Sequence, residues 1–399
     1  MRDLGVCNMA PEFVYNSRSF HLIPGASPRV LYRGMTMAEI TATDIETQLK
    51  SYVDPYLEHD LVSAKCVKDI SVDGDTAKVQ VVLGFPADGY RDQLKSTLKE
   101  LIETLDGIST ASIDVSSKIS EHAVQKGVKH LDNIKNIIAV ASGKGGVGKS
   151  TVAVNLALAL AAEGATVGML DADIYGPSQP RMLGVHGKPE SVDGKSLEPM
   201  VSYHIQAMSI GFLVDEETPM IWRGPMVTQA LQQLLGDTNW KDLDYLVVDM
   251  PPGTGDTQLT LAQQVPVSGA VIVTTPQDIA LLDARKGFKM FEKVEVPVLG
   301  IVENMSLHIC SECGHEEHIF GEGGGQRMSE EYNVDFLGGI PLDIRIREET
   351  DSGKPTVVAE PDSRISQIYK EIARRTAAKL SLKTKDYAAK FPQIVIQND

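Results

Sequence analysis

Ala139-Val140-Ala141-Ser142-Gly143-Lys144-Gly145-Gly146-Val147-Gly148-Lys149-Ser150-Thr151 decides more of the fold than any other stretch of this chain. Before it, residues 137–141 form a short continuous apolar run, the pattern of a strand buried on both faces. After it, Val152 to Ala161 is apolar over a helical length. The segment between them is GxxxxGK[ST], set between strand and helix as that motif requires. Gly145, Gly146 and Gly148 allow backbone N–H groups to turn inward around phosphate oxygens, where side chains would clash. The helix N-terminus adds its positive end. In this motif Lys149 reaches the β- and γ-phosphates of ATP, Ser150 ligates Mg²⁺, and Thr151 contacts the α-phosphate. Gly143, Lys144, Gly145, Gly146, Val147, Gly148, Lys149, Ser150 and Thr151 are therefore the candidate nucleotide-binding residues.

Beyond that loop the chain alternates strands and helices. Further buried runs occur at 167–170, 205–208, 245–248, 270–274 and 298–302. Continuous apolar strands separated by helices predict an α/β fold, a doubly wound and mostly parallel sheet covered on both faces. Leu170-Asp171-Ala172-Asp173 closes one strand, so both carboxylates emerge at the edge where open α/β sheets bind ligands. Tyr245-Leu246-Val247-Val248-Asp249 closes another, with Asp249 expected to hold Mg²⁺ through water. A helix N-cap is the ordinary alternative for one strand-end Asp, but the joint pattern argues against it for Asp173 and Asp249. Pro251-Pro252-Gly253-Thr254-Gly255-Asp256 then supplies a glycine-rich segment suited to sensing the γ-phosphate.

In front of this lies a smaller α/β pattern. An amphipathic helix runs through Ile40, Ile45, Leu49 and Val53. Strands near 61–70 and 76–84 are joined by Asp73-Gly74-Asp75, a hairpin signal. A helix at about 89–105 carries Leu94, Leu98, Leu101, Ile102 and Leu105 on one face and stops at Gly107, before a strand from Ser109 to Val115. The expected organisation is a disordered tail over 1–36, a small α/β domain over 37–116 and a polar linker over 117–134. A nucleotide-binding domain over 135–382 and a C-terminal tail over 383–399 complete it.

With 399 residues, 42% hydrophobic and 23% charged, the chain has the makeup of an ordinary globular protein of two domains. Its net charge of −16 argues against a broad nucleic-acid-binding surface. No run of 18 apolar residues is present to span a membrane. Four cysteines do not make a disulfide framework, and the pair Cys310 and Cys313 points instead to metal or redox chemistry in a reducing, cytoplasmic setting. The first residues carry Arg2, Arg18, Arg29 and Arg33 against Asp3 and Glu12. They lack an apolar signal core, and their acidic residues weigh against a mitochondrial transit peptide. Met35 or Met37 is an alternative start, since a segment patterned as structured begins there.

The loop KGGVGKST, with its extra Lys144, resembles the deviant Walker A ATPases, which include MinD, ParA, the nitrogenase iron protein and the Mrp/ApbC proteins. The similarity over about 130–380 is closest to Mrp/ApbC, the ATP-dependent iron–sulfur cluster carriers. It rests on DADIYGPSQPRMLG at 171–184, IWRGPM at 221–226, DMPPGTGD at 249–256 and ENMS with the cysteines and IFGEGGG across 303–325. The front domain, with DPYLEHDLV at 54–62, is similar to the iron–sulfur-assembly domain often fused to these proteins. That domain commonly has a cysteine after its second strand, where this chain has Gly84-Phe85-Pro86. The resemblance implies that Lys144 reaches the partner's nucleotide across a homodimer, that Asp173 positions or activates the attacking water, and that Asn304 contacts adenine. Lys144, Lys149 and Asp173 are thus the candidate catalytic residues. Trp222 and Arg223 have no role beyond a guessed interface.

Cys310-Ser311-Glu312-Cys313-Gly314 offers two thiolates, whereas a [4Fe–4S] cluster takes four ligands. Cys7 and Cys66 lie far off in sequence, so two chains contributing two cysteines each at a two-fold axis complete the set. A local zinc site from Cys310, Cys313, His315 and His318 and a redox dithiol remain as alternatives. The resemblance favours the shared cluster, with apo iron–sulfur proteins as recipients. The other class of reading is a positioning ATPase on a membrane or DNA. It draws on the helix at about 362–381, where Ile365, Ile368, Ile372 and Leu380 share a face bordered by Arg364, Lys370, Arg374, Arg375 and Lys379. A CxxC loop has no evident use there, so neither membrane nor nucleic acid is the expected partner.

Overall fold

The computed structural model describes residues 40–125, 128–214, 224–310 and 312–383. The N-terminal tail with Cys7, Met35 and Met37, the pair Trp222 and Arg223, and residues 384–399 lie outside the described residues.

Helix α1 (Ala42–Leu49) opens the small domain. It is closed at its N-terminus by a capping box, with Thr41 and Asp44 each bonding the other's backbone N–H. It ends at Leu49, and Val53, expected to continue its apolar face, sits instead in a bridge with Asp60 and is 61% exposed. Strands β1 (Val67–Asp73) and β2 (Thr76–Leu83) form an antiparallel hairpin, with Asp73 opposite Thr76 and Gly74 at φ +60° in the turn. The first strand begins six residues later than its apolar pattern suggests. Asp60 is the reason: its carboxylate accepts the N–H of Val62 (3.0 Å) and Ser63 (2.8 Å) and winds that stretch into a turn. Helix α2 (Arg91–Glu103) buries Leu94, Leu98 and Ile102, and β3 (Thr110–Ser117) pairs parallel with β2. The Asp54 of the DPYLEHDLV string is wholly buried. It accepts the N–H of Tyr56 (2.9 Å) and Leu57 (3.0 Å) and the hydroxyl of Tyr90 (2.9 Å), so it organises the core.

Residues 118–133, expected as a polar linker, are docked. Gln125 is buried, gives its amide N–H to the carbonyls of Ala262 (2.6 Å) and Val265 (3.1 Å), and accepts the N–H of Val267 (3.0 Å). His122 meets Asn136 at 2.9 Å. The larger domain then runs β4 (Ile134–Ala141), α3 (Lys149–Ala162), β5 (Val167–Asp171), α4 (Gln179–Met182), β6 (Met200–Ser202), β7 (Ile205–Ser209), α5 (Gly224–Gly236), β8 (Leu243–Asp249) and α6 (Asp256–Gln264). It continues with β9 (Gly269–Thr274), α7 (Asp278–Lys293), β10 (Val298–Ile309), β11 (Glu316–Glu317), α8 (Gly324–Tyr332), β12 (Phe336–Leu342), α9 (Ile344–Asp351), α10 (Thr356–Ala359) and α11 (Arg364–Ser381).

Nine strands form one sheet in the order β11-β10-β9-β4-β8-β5-β7-β6, with β12 also on β10. All its pairings are parallel except the edge pairs of β6 with β7 and of β11 with β10. The expected α/β sheet is thus present. Strand β4 lies between β8 and β9, so the loop leaving it opens at the point where the strand order reverses. Helix α3, apolar all round, is buried along its length from Val152 to Leu160.

Helix α11 covers α3 and β12 with Ile365, Tyr369, Ile372, Ala373, Ala377 and Leu380 buried. The face that a membrane-bound amphipathic helix would need is therefore spent on the core. Among the described residues no helix is long and apolar enough to cross a membrane. The small domain docks where α3 ends. Glu163 carries a buried ion pair with Arg374 (2.7 Å) and accepts the N–H of Gly89 (3.0 Å), while Arg374 also donates to the Tyr56 hydroxyl (2.8 Å). Lys379 bridges Glu58 (2.7 Å) and Asp335 (2.8 Å) at the rim of this contact.

Candidate functional site

Four strand ends meet at the phosphate loop. Gly146 and Gly148 both stand at φ +82°, the left-handed conformation that turns successive N–H groups into the loop. Gly143 has a different reason to lack a side chain. A Cβ there would lie 2.0 Å from the backbone carbon of Asp283 in α7, so this glycine lets α7 pack against the loop. Val147 is buried, and its carbonyl accepts the side-chain amide of Asn304 at 2.9 Å. Asn304 closes a local ring by accepting the N–H of Met305 (3.0 Å), whose φ is +56°. The residue expected at adenine thus also clamps the phosphate loop.

Lys149 is only 6% exposed. It pairs with Asp249, lies 3.1 Å from the Ser150 hydroxyl, and stands 3.9 Å from Asp173. Asp249 is fully buried, with one oxygen on Lys149 and the other accepting the amide of Gln179 at 2.9 Å. Ser150 and Thr151 occupy the first turn of α3 beside Lys149. Lys144 is half-buried, its carbonyl accepts the Ser142 hydroxyl (2.9 Å), and among the described residues its ammonium forms no ion pair. Asp256, at the start of α6, is exposed.

The second strand-end pair divides its work. Asp171 is wholly buried and turns inward. It accepts the N–H of Asp173 (3.2 Å), Ser178 (3.0 Å) and Gln179 (3.0 Å) and the Ser209 hydroxyl (3.1 Å), folding residues 171–179 into a closed turn. Burial and the neighbouring Asp249 charge push its carboxyl up to about 7. Asp173 is half-buried and faces Lys149; burial raises its carboxyl and the ammonium partly offsets this. Asp173 therefore sits beside the phosphate site, held there by Asp171.

Ser150 and Asp249 present hard oxygen donors side by side, a set that suits Mg²⁺ more than a soft metal. Such an ion would supply charge to neutralise phosphate oxygens. A cation already bridges Asp249 and Ser150 in the form of the Lys149 ammonium, so the pocket is built for positive charge.

The cysteines stand elsewhere on the same strand system. Strand β10 does not stop near Val302 but continues to Ile309, because β12 and β11 pair with its second half. Cys310 follows it directly and the CxxC forms the tip of the β10–β11 hairpin, closed by Cys310 N–H to His315 O and Gly314 N–H to Cys310 O, both 2.9 Å. Backbone N–H groups of Cys313 and Glu312, then the Cys313 thiol, hold the Cys310 thiol below its usual range. Cys310 is half-buried, Cys313 exposed, and both are free thiols. A mostly apolar cavity of about 1050 Å³ opens beside Cys310, lined in part by Ile309, Ile319, Leu342, Ile344 and Ile365. His318 is turned to the Ser306 carbonyl (3.0 Å). Among the described residues no three His, Cys, Asp or Glu side chains gather as a metal site, so the local zinc set is not assembled in one chain.

Gln179 and Glu303 were not singled out by motif. Glu303 is buried on β10, is raised by that burial, and accepts the N–H of Gly325 (2.6 Å) at the start of α8. Its one signal is a charged residue inside an apolar strand run ahead of a triple glycine.

A glycine turn between a central strand and a buried helix, with its lysine among strand-end carboxylates, defines a P-loop NTPase. Residues 133–377 match the ParA family described as NUBPL iron-transfer P-loop NTPase, and residues 42–115 match the family described as iron-sulfur cluster assembly protein. The chain belongs to the NUBPL iron-transfer P-loop NTPase family. It is 59% identical to the iron-sulfur cluster carrier protein of Pseudomonas fragi over 69% of this chain and 97% of that one. It is 53% identical to the protein of that name from Salmonella typhimurium, over 83% of this chain and 90% of the relative. The mouse iron-sulfur cluster transfer protein NUBPL is 52% identical over 63% of this chain and 80% of its own length. A solved nucleotide-binding protein from Archaeoglobus fulgidus in complex with ADP is 40% identical with a TM-score of 0.52, over 59% of this chain and 93% of that one.

Proposed function

We propose that this chain is an ATP-dependent iron–sulfur cluster carrier that holds a [4Fe–4S] cluster between two copies of itself and delivers it to apo-proteins. The observation that carries this reading is the hairpin tip. Two free thiols, one of them already activated by backbone N–H groups, stand at the surface on the strand whose Asn304 grips the phosphate loop. The names of the relatives and the family description support it.

On this reading Lys149 leaves Asp249 to neutralise the β- and γ-phosphates. Ser150 and Asp249 then hold Mg²⁺, directly and through water. Thr151 contacts the α-phosphate, and Gly143 to Gly148 wrap the phosphate chain with backbone N–H groups. Asp173 orients the attacking water. Lys144, unpaired by its own chain, reaches the nucleotide of the second copy. Asn304 exchanges its bond to Val147 for one to adenine. Six residues separate Asn304 from Cys310, so release of that clamp acts on the strand that ends in the thiols. The cluster is the cargo, and two chains bring four thiolates to it.

The test is anaerobic reconstitution with iron and sulfide counting per dimer, for wild type, Cys310→Ser and Cys313→Ser. A bridging cluster loses two of four ligands with either substitution, because each appears twice, and serine oxygen is too hard to replace thiolate. Both single variants are expected to lose the visible absorption band as completely as the double variant. Full occupancy in Cys310→Ser would refute the bridging arrangement, and stoichiometric zinc without sulfide in the wild type would replace it with a Cys/His site.

A further inference from the structure

Gln179 has no part in the motif chemistry above, yet it is one of the most enclosed polar side chains of the site, 1% exposed. Its Nε2 donates to Asp249 Oδ2 at 2.9 Å and to the Ser150 carbonyl at 3.2 Å. Both neighbours are acceptors only, so the NH₂ end of the amide must face them. Its Oε1 therefore points the other way. There it is buried and, among the described residues, accepts no hydrogen bond. A buried carbonyl oxygen with no donor is rare in a folded protein and calls for a ligand or ordered water.

We propose that Gln179 is a positioning residue for the nucleotide-bound cation: its amide N–H group fixes the Asp249 carboxylate, and its free Oε1 accepts from the cation's water shell. The inference rests on the Mg²⁺–nucleotide reading of this site. Asp249 has one oxygen on Lys149 and the other on Gln179. When Lys149 turns to phosphate, Gln179 is the side-chain donor that remains to keep Asp249 aimed. Mg²⁺ retains several waters in phosphate sites, and those waters are donors that an orphaned Oε1 next to Ser150 and Asp249 can serve. The backbone carries the same logic. The N–H of Gln179 is tied to Asp171, which also holds the N–H of Asp173, so one closed turn places both the cation's partner and the candidate water-orienting carboxylate.

The experiment measures ADP affinity of the full chain by titration calorimetry, once with excess Mg²⁺ and once with EDTA. It compares wild type, Gln179→Met, which keeps the volume without hydrogen bonds, and Gln179→Ala, in case the longer side chain disturbs folding. Wild type is expected to bind ADP more tightly with Mg²⁺. Both variants are expected to lose about 10-fold of that gain, and to need about 10-fold more Mg²⁺ for half-saturation, as partners behind metal ligands commonly do. Their metal-free ADP affinity should stay within about 2-fold of wild type, since the phosphate loop is untouched. Equal losses with and without Mg²⁺ would mean that Gln179 only fills space, and would overturn the proposal. An undiminished Mg²⁺ gain in both variants would overturn it while leaving the cation site standing. A wild type indifferent to Mg²⁺ would overturn this inference and the cation reading together.

Discussion

Replacing Lys149 by alanine removes the cation around which three carboxylates are arranged. Lys149 pairs with the fully buried Asp249 and lies 3.9 Å from Asp173, and Asp171 adjoins Asp249. At 3.9 Å two unit charges attract by about 4 kcal/mol for an effective dielectric of about 20. That gross attraction is not the net cost of its loss, because a buried carboxylate left alone neutralises itself by taking up a proton. Carrying an ordinary carboxyl group from about 3.9 to pH 7 costs about 1.4 kcal/mol per unit, so the penalty is capped near about 4 kcal/mol. Breaking one side of a buried pair typically costs about 3–5 kcal/mol, in agreement with that cap. Lys149→Ala is therefore expected to lose about 3–4 kcal/mol at neutral pH. The loss should shrink by about 1.4 kcal/mol for each unit that the pH falls, since protonation then costs less. Adding Asp249→Asn should recover most of the stability, because a neutral amide needs no cation, and should recover none of the ATP affinity. Urea unfolding of the nucleotide-free proteins at several pH values, with ATP titration alongside, reads both quantities. Lys149→Ala unfolding at the wild-type midpoint with an unchanged slope would refute the pairing argument, and so would a double variant weaker than the single one. Tight ATP binding by Lys149→Ala would refute its phosphate role.

Asp173→Ala should keep ATP affinity near wild type while hydrolysis slows on the order of 10²-fold, because the phosphate cradle stays intact while the water loses its guide; an affinity as low as that of Lys149→Ala would show that Asp173 serves binding instead. Asp171 makes stability fall with rising pH: its carboxyl is lifted to about 7 in the folded protein, so the group's contribution is full below the ordinary Asp range and is lost as pH rises through about 7. Melting temperatures of the nucleotide-free protein should show this decline between about pH 6 and 8, and Asp171→Asn should flatten it; an equal slope in the variant would assign the decline to other groups. Glu163→Gln should cost about 3 kcal/mol by stranding Arg374, whose side chain is 8% exposed. The amide of Gly89, which donates to Glu163, should then exchange faster in hydrogen-exchange measurements, and unchanged protection there would contradict the docking role of this pair.

What sequence pattern reveals here, and what it hides, follows from the range of the interactions involved. The phosphate loop, the central strands and the strand-end aspartates are legible because each depends on neighbours close in the chain: an apolar run, a glycine turn, a helix of the right length. The same local rule explains the first misplacement. Apolar residues at 61–66 look like strand, but the Asp60 carboxylate captures two N–H groups a few residues on and makes a turn of them. The remaining misses are set by partners far away. Gln125 reads as linker because its partners, Ala262 and Val265, lie 137 and 140 residues on. Strand β10 reads as ending near 302 because its second half is held by β12, which forms only after the intervening hairpin and helix are in place. Gln179 looks like one polar residue in a helix start until Asp249, 70 residues later, is laid against it. The pattern in these cases is consistent: apolar periodicity places the scaffold, whereas a buried polar side chain gets its meaning from the single group that satisfies it. In this site that distinction separates the residues that touch nucleotide, which the motif names, from Asp171, Gln179 and Asn304, which hold those residues and loops in place. The thiol pair falls between the two. Its chemistry is legible in the spacing of Cys310 and Cys313. Its place at the end of the strand that clamps the phosphate loop is not, and that placement gives nucleotide turnover a physical route to the cargo.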